Sequence, residues 1–351
     1  MKHARGTAPR RHSLLPPILL LILAFLLMAA ARGIPGFAEY YAVHIYPIWQ
    51  GSLGRLTGLC PVSVAEIGCL LLPVLLVIDL IANRHRLRNI LWHLFVLLSV
   101  LAFLYAANCG VNYSRDPFVS QAEAPEISIE LLADFCEYTV ARLEDSSAEG
   151  CSYPSRGTLA ETARGAMNAL GEEHPSLTGF YPRPKQLTVL SRFFSNMGVS
   201  GVYSPFTIEA NINGEMPDCI KPFTACHELS HLRGFMNEGE ANYIGWLACI
   251  GSEDPAFRRS GWIEAWNYAG GTLRRVDPDR FDALREQLPA DVRAELDENN
   301  RFWREHETKA SEIQDQVNDA YLKANGHENG IAGYGQVTTL MLRWYAEQEL
   351  S

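Results

Sequence analysis

Three long apolar runs dominate the first 110 residues of the chain. They cover residues 14–31, 59–82 and 90–107, and each is close to the roughly 20 residues that an α-helix needs to cross a bilayer. The pattern predicts three membrane-spanning helices within a membrane domain at residues 1–110. The polar, proline-containing stretch at 111–126 is typical of a linker.

Helical periodicity dominates residues 127–351. Helices are expected over residues 127–143, 159–170, 220–232, 241–250, 255–269, 281–288, 290–322 and 336–350. Strands are predicted only at 186–191 and 201–213, and Pro205 makes the second an edge strand because proline cannot donate to a ladder. The expected fold is mostly α, with three transmembrane helices followed by an α+β domain with a small sheet.

Basic residues predict how the runs would lie in a membrane. They cluster at the N-terminus (Lys2, Arg5, Arg10, Arg11) and between the second and third runs (Arg84, Arg86, Arg88). Loop 32–58 carries few, so the positive-inside rule predicts a cytoplasmic N-terminus and an extracytoplasmic domain from residue 127. We therefore expect a multi-pass protein of the cytoplasmic membrane. The alternative for the first run is a signal peptide cleaved near residues 28–31.

Other features of the membrane part predict anchoring. Glu66, Asp79 and His93 lie close to the ends of the runs, where contact with the interface is the expected role. Loop 34–58 carries three tyrosines and a tryptophan, a composition that favours an interfacial segment on the outer face. The lipid bilayer is thus one predicted partner.

Charge and cysteine content narrow the function classes. The net charge is −10 and most acidic residues follow residue 110, which argues against a nucleic-acid partner. The eight cysteines form no C-x-x-C pair, which argues against a cysteine zinc site. If a disulfide forms, Cys136 and Cys151 would close the shortest loop.

The strongest chemical signal is the pattern H-E-x-x-H at residues 227–231. On a helix, His227 and His231 share one face and can bind one metal ion, with Glu228 projecting beside them. Pro222 suits the first helical turn and Gly234 suits a C-terminal stop. The pattern predicts a Zn²⁺ site in which Glu228 is the general base.

A third ligand is expected just after Gly234, where the next apolar helix begins. Glu238 and Glu240 both compete for this role. Asn237 is a good N-cap, which leaves Glu240 a capping-box role and frees Glu238 for the metal. We therefore predict His227, His231 and Glu238 as ligands. A metzincin-like third histidine is absent, because Asn237 stands at that position.

An oxyanion donor is also expected for such a site. Tyr334, in a Gly-Tyr-Gly sequence ahead of the last helix, is the candidate, and Tyr321, His327 and His306 compete with it. The predicted edge strand before the metal-binding helix could hold an extended substrate by strand addition. An ordinary hairpin strand is the alternative.

The three apolar runs, VNYSRDP, GVYSPFTIEANIN, HELSHLRGFMNEGEANYIGWLAC and GIAGYGQV together resemble an uncharacterised bacterial membrane family, the domain of unknown function 3810. The resemblance covers most of the chain and implies a membrane-anchored zincin-like domain. More distantly, the H-E-x-x-H and E-x-x-A-N elements are similar to gluzincin peptidases. The short gap between His231 and Glu238 departs from that pattern.

These residues predict a membrane-anchored zinc-dependent endopeptidase that cleaves a peptide or protein substrate outside the cytoplasm. One alternative is a sensor or scaffold in which the metal only joins two helices. Another is a zinc hydrolase of a non-peptide cell-envelope substrate, since a fold does not dictate its chemistry. Neither the cleavage specificity nor the oligomeric state follows from the sequence.

Overall fold

The computed structural model describes residues 13–119, 128–309 and 334–349, together with positions 311, 313, 314, 316 and 317. Most of these residues are helical. The α-helices are α1 (Leu15–Gly33), α2 (Phe37–Tyr40), α3 (Tyr46–Trp49), α4 (Arg55–Gly58), α5 (Val64–Ala82), α6 (Leu87–Tyr105), α7 (Ile129–Glu149), α8 (Arg156–Glu173), α9 (Ser191–Asn196), α10 (Lys221–Leu232), α11 (Glu238–Ile250), α12 (Pro255–Ala265), α13 (Gly271–Val276), α14 (Pro278–Gln287), α15 (Ala290–His306) and α16 (Tyr334–Glu349).

Shorter helical turns join several of these helices. The π-helical turns are Tyr41–Ile45, Gln50–Gly54, Ala106–Gly110 and Trp266–Gly270, and the 3₁₀ turns are Val111–Ser114, Pro175–Leu177 and Asp218–Ile220. Residues 37–58 are therefore helical throughout, and we call them the first-loop helix. The mostly α prediction is confirmed.

Three helices of the described chain are long and apolar enough to cross a membrane. They are α1, α5 and α6, the last continuing through the following turns to Ser114. The prediction of three such helices is confirmed. Helices α1 and α6 pack against each other, and most of the large apolar side chains of α1 and α5 remain exposed. The division into domains near residue 110 stays a prediction.

The small sheet contains three short strands. They are β1 (Lys185–Gln186), β2 (Gly201–Ser204) and β3 (Glu209–Ile212), in the order β1-β3-β2. Strand β1 is parallel to β3 and β2 is antiparallel to it. Strand β2 is thus an edge of the described sheet. The prediction of a small sheet is confirmed, but both strand boundaries were wrong.

The stretch 201–213 is a hairpin rather than one strand. The chain turns over residues 205–208, where Pro205 has no amide hydrogen for a ladder and Ile208 adopts a φ of 52°. Val202 and Phe206 are consequently exposed, whereas Ile208 is buried. The reversal changes which face of the sheet each side chain occupies. The prediction of one continuous strand over residues 201–213 was therefore wrong.

Glu66 explains why the stretch 186–191 is not a strand. Its carboxylate accepts hydrogen bonds from the backbone N–H groups of Thr188, Val189 and Leu190 at 2.8–2.9 Å. The backbone donors that a strand would use are therefore bound to the start of α5. The side chain that was expected to anchor at an interface thus binds the backbone of residues 188–190.

A second contact ties α5 to the sheet. The Glu209 carboxylate accepts from the backbone nitrogens of Val64 and Ala65 at 3.1 and 2.7 Å, a favourable position for a negative charge at a helix N-terminus. Lys185 forms an ion pair with Glu209 and donates to the Thr57 carbonyl at 2.9 Å. The sheet and the first turn of α5 are thus bound together by charged groups that are almost fully buried.

The core of the larger part of the chain is built around α10 and α11. The two helices pack closely at Gly245, where a Cβ atom would lie 3.0 Å from the backbone nitrogen of His227. Trp246 is fully buried on α11. All eight cysteines lie among the described residues and each is a free thiol, so the structure contains no Cys136–Cys151 disulfide.

Candidate metal centre

Helix α10 carries the H-E-x-x-H pattern. Pro222 lies in its first turn, the helix ends at Leu232, and Gly234 follows with a φ of 97°. Only glycine adopts this backbone conformation without strain. His227 and His231 are one turn apart on the same face, with ring centroids 4.6 Å from each other.

Glu238 is brought to the two histidines by the turn that follows. Asn237 caps α11 by accepting a hydrogen bond from the backbone of Glu240 at 3.1 Å, so Glu238 is the first residue of the helix. One Glu238 oxygen lies 3.5 Å from His227 Nε2, and the other lies 3.5 Å from His231 Nε2. One ligand atom from each of these three residues lies within 4.8 Å of the others.

Glu240, the competing third ligand, has another partner. Its carboxylate accepts a hydrogen bond from the backbone N–H of Phe118 at 2.8 Å. This bond ties the first turn of α11 to a distant segment, and the capping-box role of Glu240 stays a prediction. Burial raises the pKa of Glu240 to about 7, although the Phe118 bond opposes the rise.

The surroundings of both histidines fit a metal site. The Nδ1 of His231 lies 2.8 Å from the Phe235 carbonyl, a contact that places the ring hydrogen on Nδ1 and leaves Nε2 free as a ligand atom. The buried Nδ1 of His227 has no hydrogen-bond partner among the described residues. Two imidazole nitrogens and a carboxylate form a donor set that suits zinc and similar divalent ions. The residues therefore fit a bound cation.

The charges at the site are strongly coupled. Burial lowers the pKa of His227 to about 4, aided by the nearby His231. Burial by itself would lower the pKa of His231 as well, but the Glu238 carboxylate outweighs it and the pKa rises to about 9. The Glu238 carboxylate thus favours a protonated His231 when no cation is bound. A cation that binds there must release this proton, because a ligand histidine is neutral.

Glu228 is almost fully buried, at 3% exposure. Burial raises the pKa of its carboxyl group to about 8, and its Oε2 has no hydrogen-bond partner. Gly201, at the start of β2, lies against this carboxyl group so closely that a Cβ atom there would overlap it. The glycine therefore allows the edge strand to approach Glu228.

These groups open onto a cavity of about 650 Å³. One wall is the segment 198–203, which includes the start of β2. Cys109 and Tyr113, which follow α6, form part of another wall. The lining also includes residues that the sequence did not identify as candidates: Glu264, Asn267, Tyr268, Asn299 and Trp303.

The C-terminal end of α10 is held by residues from the first-loop helix and by Arg115, which follows α6. The Tyr46 hydroxyl, in the first-loop helix, donates to the Leu232 carbonyl at 2.9 Å, and Gln50 binds the same oxygen. Arg115 donates to the Arg233 carbonyl at 3.3 Å. Carbonyl groups at a helix end need such partners. Helix α10 is therefore fixed to the first-loop helix and to Arg115.

The predicted oxyanion donors are not in the described cavity wall. The backbone of Tyr334 begins α16, but its side chain lies outside the described residues, as do Tyr321 and His327. His306 is buried and contacts Arg192 and the Phe302 carbonyl. Tyr268 lies in the cavity wall instead. No spacing pattern links it to the motif, so the sequence alone held no signal for it.

Comparison with known proteins identifies the family. No curated protein and no solved structure matches the chain significantly. A family model described as a protein of unknown function (DUF3810) matches residues 41–342. This range contains α5 and α6, the sheet and the whole candidate metal centre. The chain belongs to the DUF3810 family of proteins of unknown function, as the sequence motifs suggested.

Proposed function

We propose that this protein is a membrane-anchored, zinc-dependent endopeptidase of the zincin type that acts outside the cytoplasm. The observation that carries the proposal is the grouping of His227, His231 and Glu238 within 4.8 Å, beside a buried Glu228 with one unpartnered oxygen. Two histidines and a carboxylate leave a fourth position open for chemistry at zinc.

When bound by these residues, zinc would lower the pKa of a water molecule and polarise a carbonyl group. Glu228 would then accept the proton from that water and later donate it to the leaving amine. Glu228 is protonated below about pH 8 in the metal-free protein. Positive charge nearby favours its carboxylate form, which a general base requires.

Substrate binding would use the exposed edge of the sheet. Strand β2 is an edge strand and residues 198–203 line the cavity, so an extended peptide can add to it as a further strand. Tyr268, which lines the same cavity, is our candidate for the donor that stabilises the developing oxyanion. Its ring lies 6.4 Å from Phe223, which in turn lies 6.2 Å from His227.

The cavity distinguishes this proposal from a purely structural metal site. A structural zinc ion is surrounded by four protein ligands, whereas the described residues offer three and these line an open cavity. A structural site also has no use for the buried Glu228 carboxyl group.

Metal content of the full-length protein in detergent tests the proposal. Wild type and Glu228→Gln should each hold about one zinc ion per chain, whereas His227→Ala and Glu238→Ala should lose it. Glu240→Ala is the matched control and should retain zinc. Glu228→Gln should hydrolyse a peptide library at least 100-fold more slowly than wild type, since general base catalysis typically contributes about 10²–10⁴-fold. Full activity of Glu228→Gln would refute its role as the base.

Reporter fusions test the proposed location. Alkaline phosphatase fused after Ser351 should be active, because the domain that follows α6 is expected outside the cytoplasm. The same enzyme fused after Asn83, between α5 and α6, should be inactive. The reverse pattern would place the site in the cytoplasm.

A further inference from the structure

We infer that one part of the cavity lining, built by Glu264, Asn267, Asn299 and Trp303, is a subsite for a positively charged group of the substrate. This inference rests on the proposed function, because it names the class of peptide that the same cavity would bind. The cation can be a lysine or arginine side chain or a free peptide amino group.

Glu264 carries the argument. It lies in the last turn of α12 and lines the cavity. Its hydrogen-bond partner is the uncharged amide of Asn267, which donates to Oε1 at 3.2 Å. No lysine or arginine lines the cavity within the described part of the chain, and Glu264 has no ion pair there. A carboxylate deep in a protein is costly unless a cation accompanies it.

The protonation of Glu264 agrees with this view. Burial raises the pKa of its carboxyl group to about 7, and the Asn267 bond opposes the rise only in part. The side chain nevertheless keeps some accessible surface, and that surface faces the cavity. A cation entering the cavity would restore the ionised form and form a charge-assisted hydrogen bond.

Asn299 supplies an independent observation. Its side chain is 8% exposed, it lines the same cavity, and its Oδ1 has no hydrogen-bond partner. A buried acceptor without a donor is unusual and costs about 1–3 kcal/mol. An ammonium or guanidinium group offers several donors and no acceptor, which suits a cavity lined by the Asn299 and Glu264 oxygens.

Trp303 completes the subsite. Its half-buried indole ring lines the cavity next to Asn299 on the same helix, α15. The face of a tryptophan ring attracts cations. Tyr268 lines the same cavity, and its ring lies 6.4 Å from that of Phe223, which in turn lies 6.2 Å from that of His227. A basic residue close to the cleaved bond is therefore the substrate feature that fits.

The test compares two acetylated peptides that are identical except at the central residue, which is arginine in one and citrulline in the other. The two side chains have nearly the same shape, but only arginine is charged. Binding is measured on full-length protein carrying Glu228→Gln, so that neither peptide is consumed. The arginine peptide should bind at least tenfold more tightly, a difference of about 1.4 kcal/mol. Adding Glu264→Gln should reduce the ratio to about one, whereas Glu264→Asp should retain a preference.

The matched control is Glu305→Gln, which removes the same charge from an exposed position on α15 and should leave the ratio unchanged. A tighter binding of peptides with free rather than acetylated amino termini would assign the subsite to the peptide amine. In the Glu228→Gln protein with Glu264 unchanged, equal binding of all these peptides would overturn the inference, and so would no binding of any. This result does not depend on whether Glu264→Gln folds. A ratio that survives in folded Glu264→Gln would do the same.

The outcomes separate this inference from the proposed peptidase. If the wild-type protein binds zinc and cleaves peptides without any preference for positive charge, only the subsite is refuted. If the protein hydrolyses no peptide but binds arginine peptides preferentially through Glu264, the subsite is supported and the proposed peptidase activity is refuted.

Discussion

Replacing Glu264 by glutamine should stabilise the protein at alkaline pH. Burial raises the pKa of this carboxyl group from an ordinary value of 4.5 to about 7. The folded protein therefore holds a proton that the unfolded chain releases between these values, and stability falls as the pH rises through this interval. Glutamine has the shape of the protonated acid and can accept the Asn267 hydrogen bond. It does not ionise at any of these pH values.

The expected size of the effect follows from the same shift. The difference between about 7 and 4.5 corresponds to about 3 kcal/mol in the free energy of unfolding at pH 8. Water in the cavity screens the charge, so this value is an upper limit. Near pH 4.5 the carboxyl group is protonated in the folded protein and half protonated in the unfolded chain, so most of the difference should vanish. At pH 8 the gain corresponds to a melting temperature raised by roughly 3–5 °C for a chain of 351 residues.

Thermal unfolding of full-length wild type, Glu264→Gln and Glu305→Gln in one detergent at pH 5 and pH 8 measures this effect. Only Glu264→Gln should show a gain at pH 8 that shrinks at pH 5. The same gain at both pH values, or a loss at pH 8, would show that Glu264 is not a destabilising unpaired carboxylate. A group that reduces stability while it binds a substrate cation is typical of a functional site.

Three further substitutions test the site and its support. Gly201→Ala should abolish hydrolysis while zinc is retained, because the added methyl group overlaps the Glu228 carboxyl group; normal turnover would show that the strand yields. Tyr268→Phe should lower kcat by about 100-fold with little change in KM if its hydroxyl stabilises the oxyanion, and a change in KM alone would assign it to substrate binding. Tyr46→Phe should cost about 1–2 kcal/mol of stability through loss of the bond to the Leu232 carbonyl, and an unchanged melting temperature would show that this contact is dispensable.

The features that the sequence determined are those set by neighbours along the chain. The three apolar helices follow from run length, and the helix that carries His227 and His231 follows from their spacing with Pro222 and Gly234 at its ends. The cap of α11 follows from Asn237. Each depends on backbone geometry within a few residues, which a local pattern can encode.

Tertiary structure decided what depends on distant partners. Glu240 faces the backbone of Phe118, more than a hundred residues earlier, and this leaves Glu238 as the carboxylate beside the two histidines. The carboxylate of Glu66 directs the chain after β1 away from a strand. Glu264 joins the cavity only because α12 packs across α11 and α10. Such contacts join residues that are far apart in the sequence. A local pattern of hydrophobic and polar residues therefore does not predict which groups they bring together.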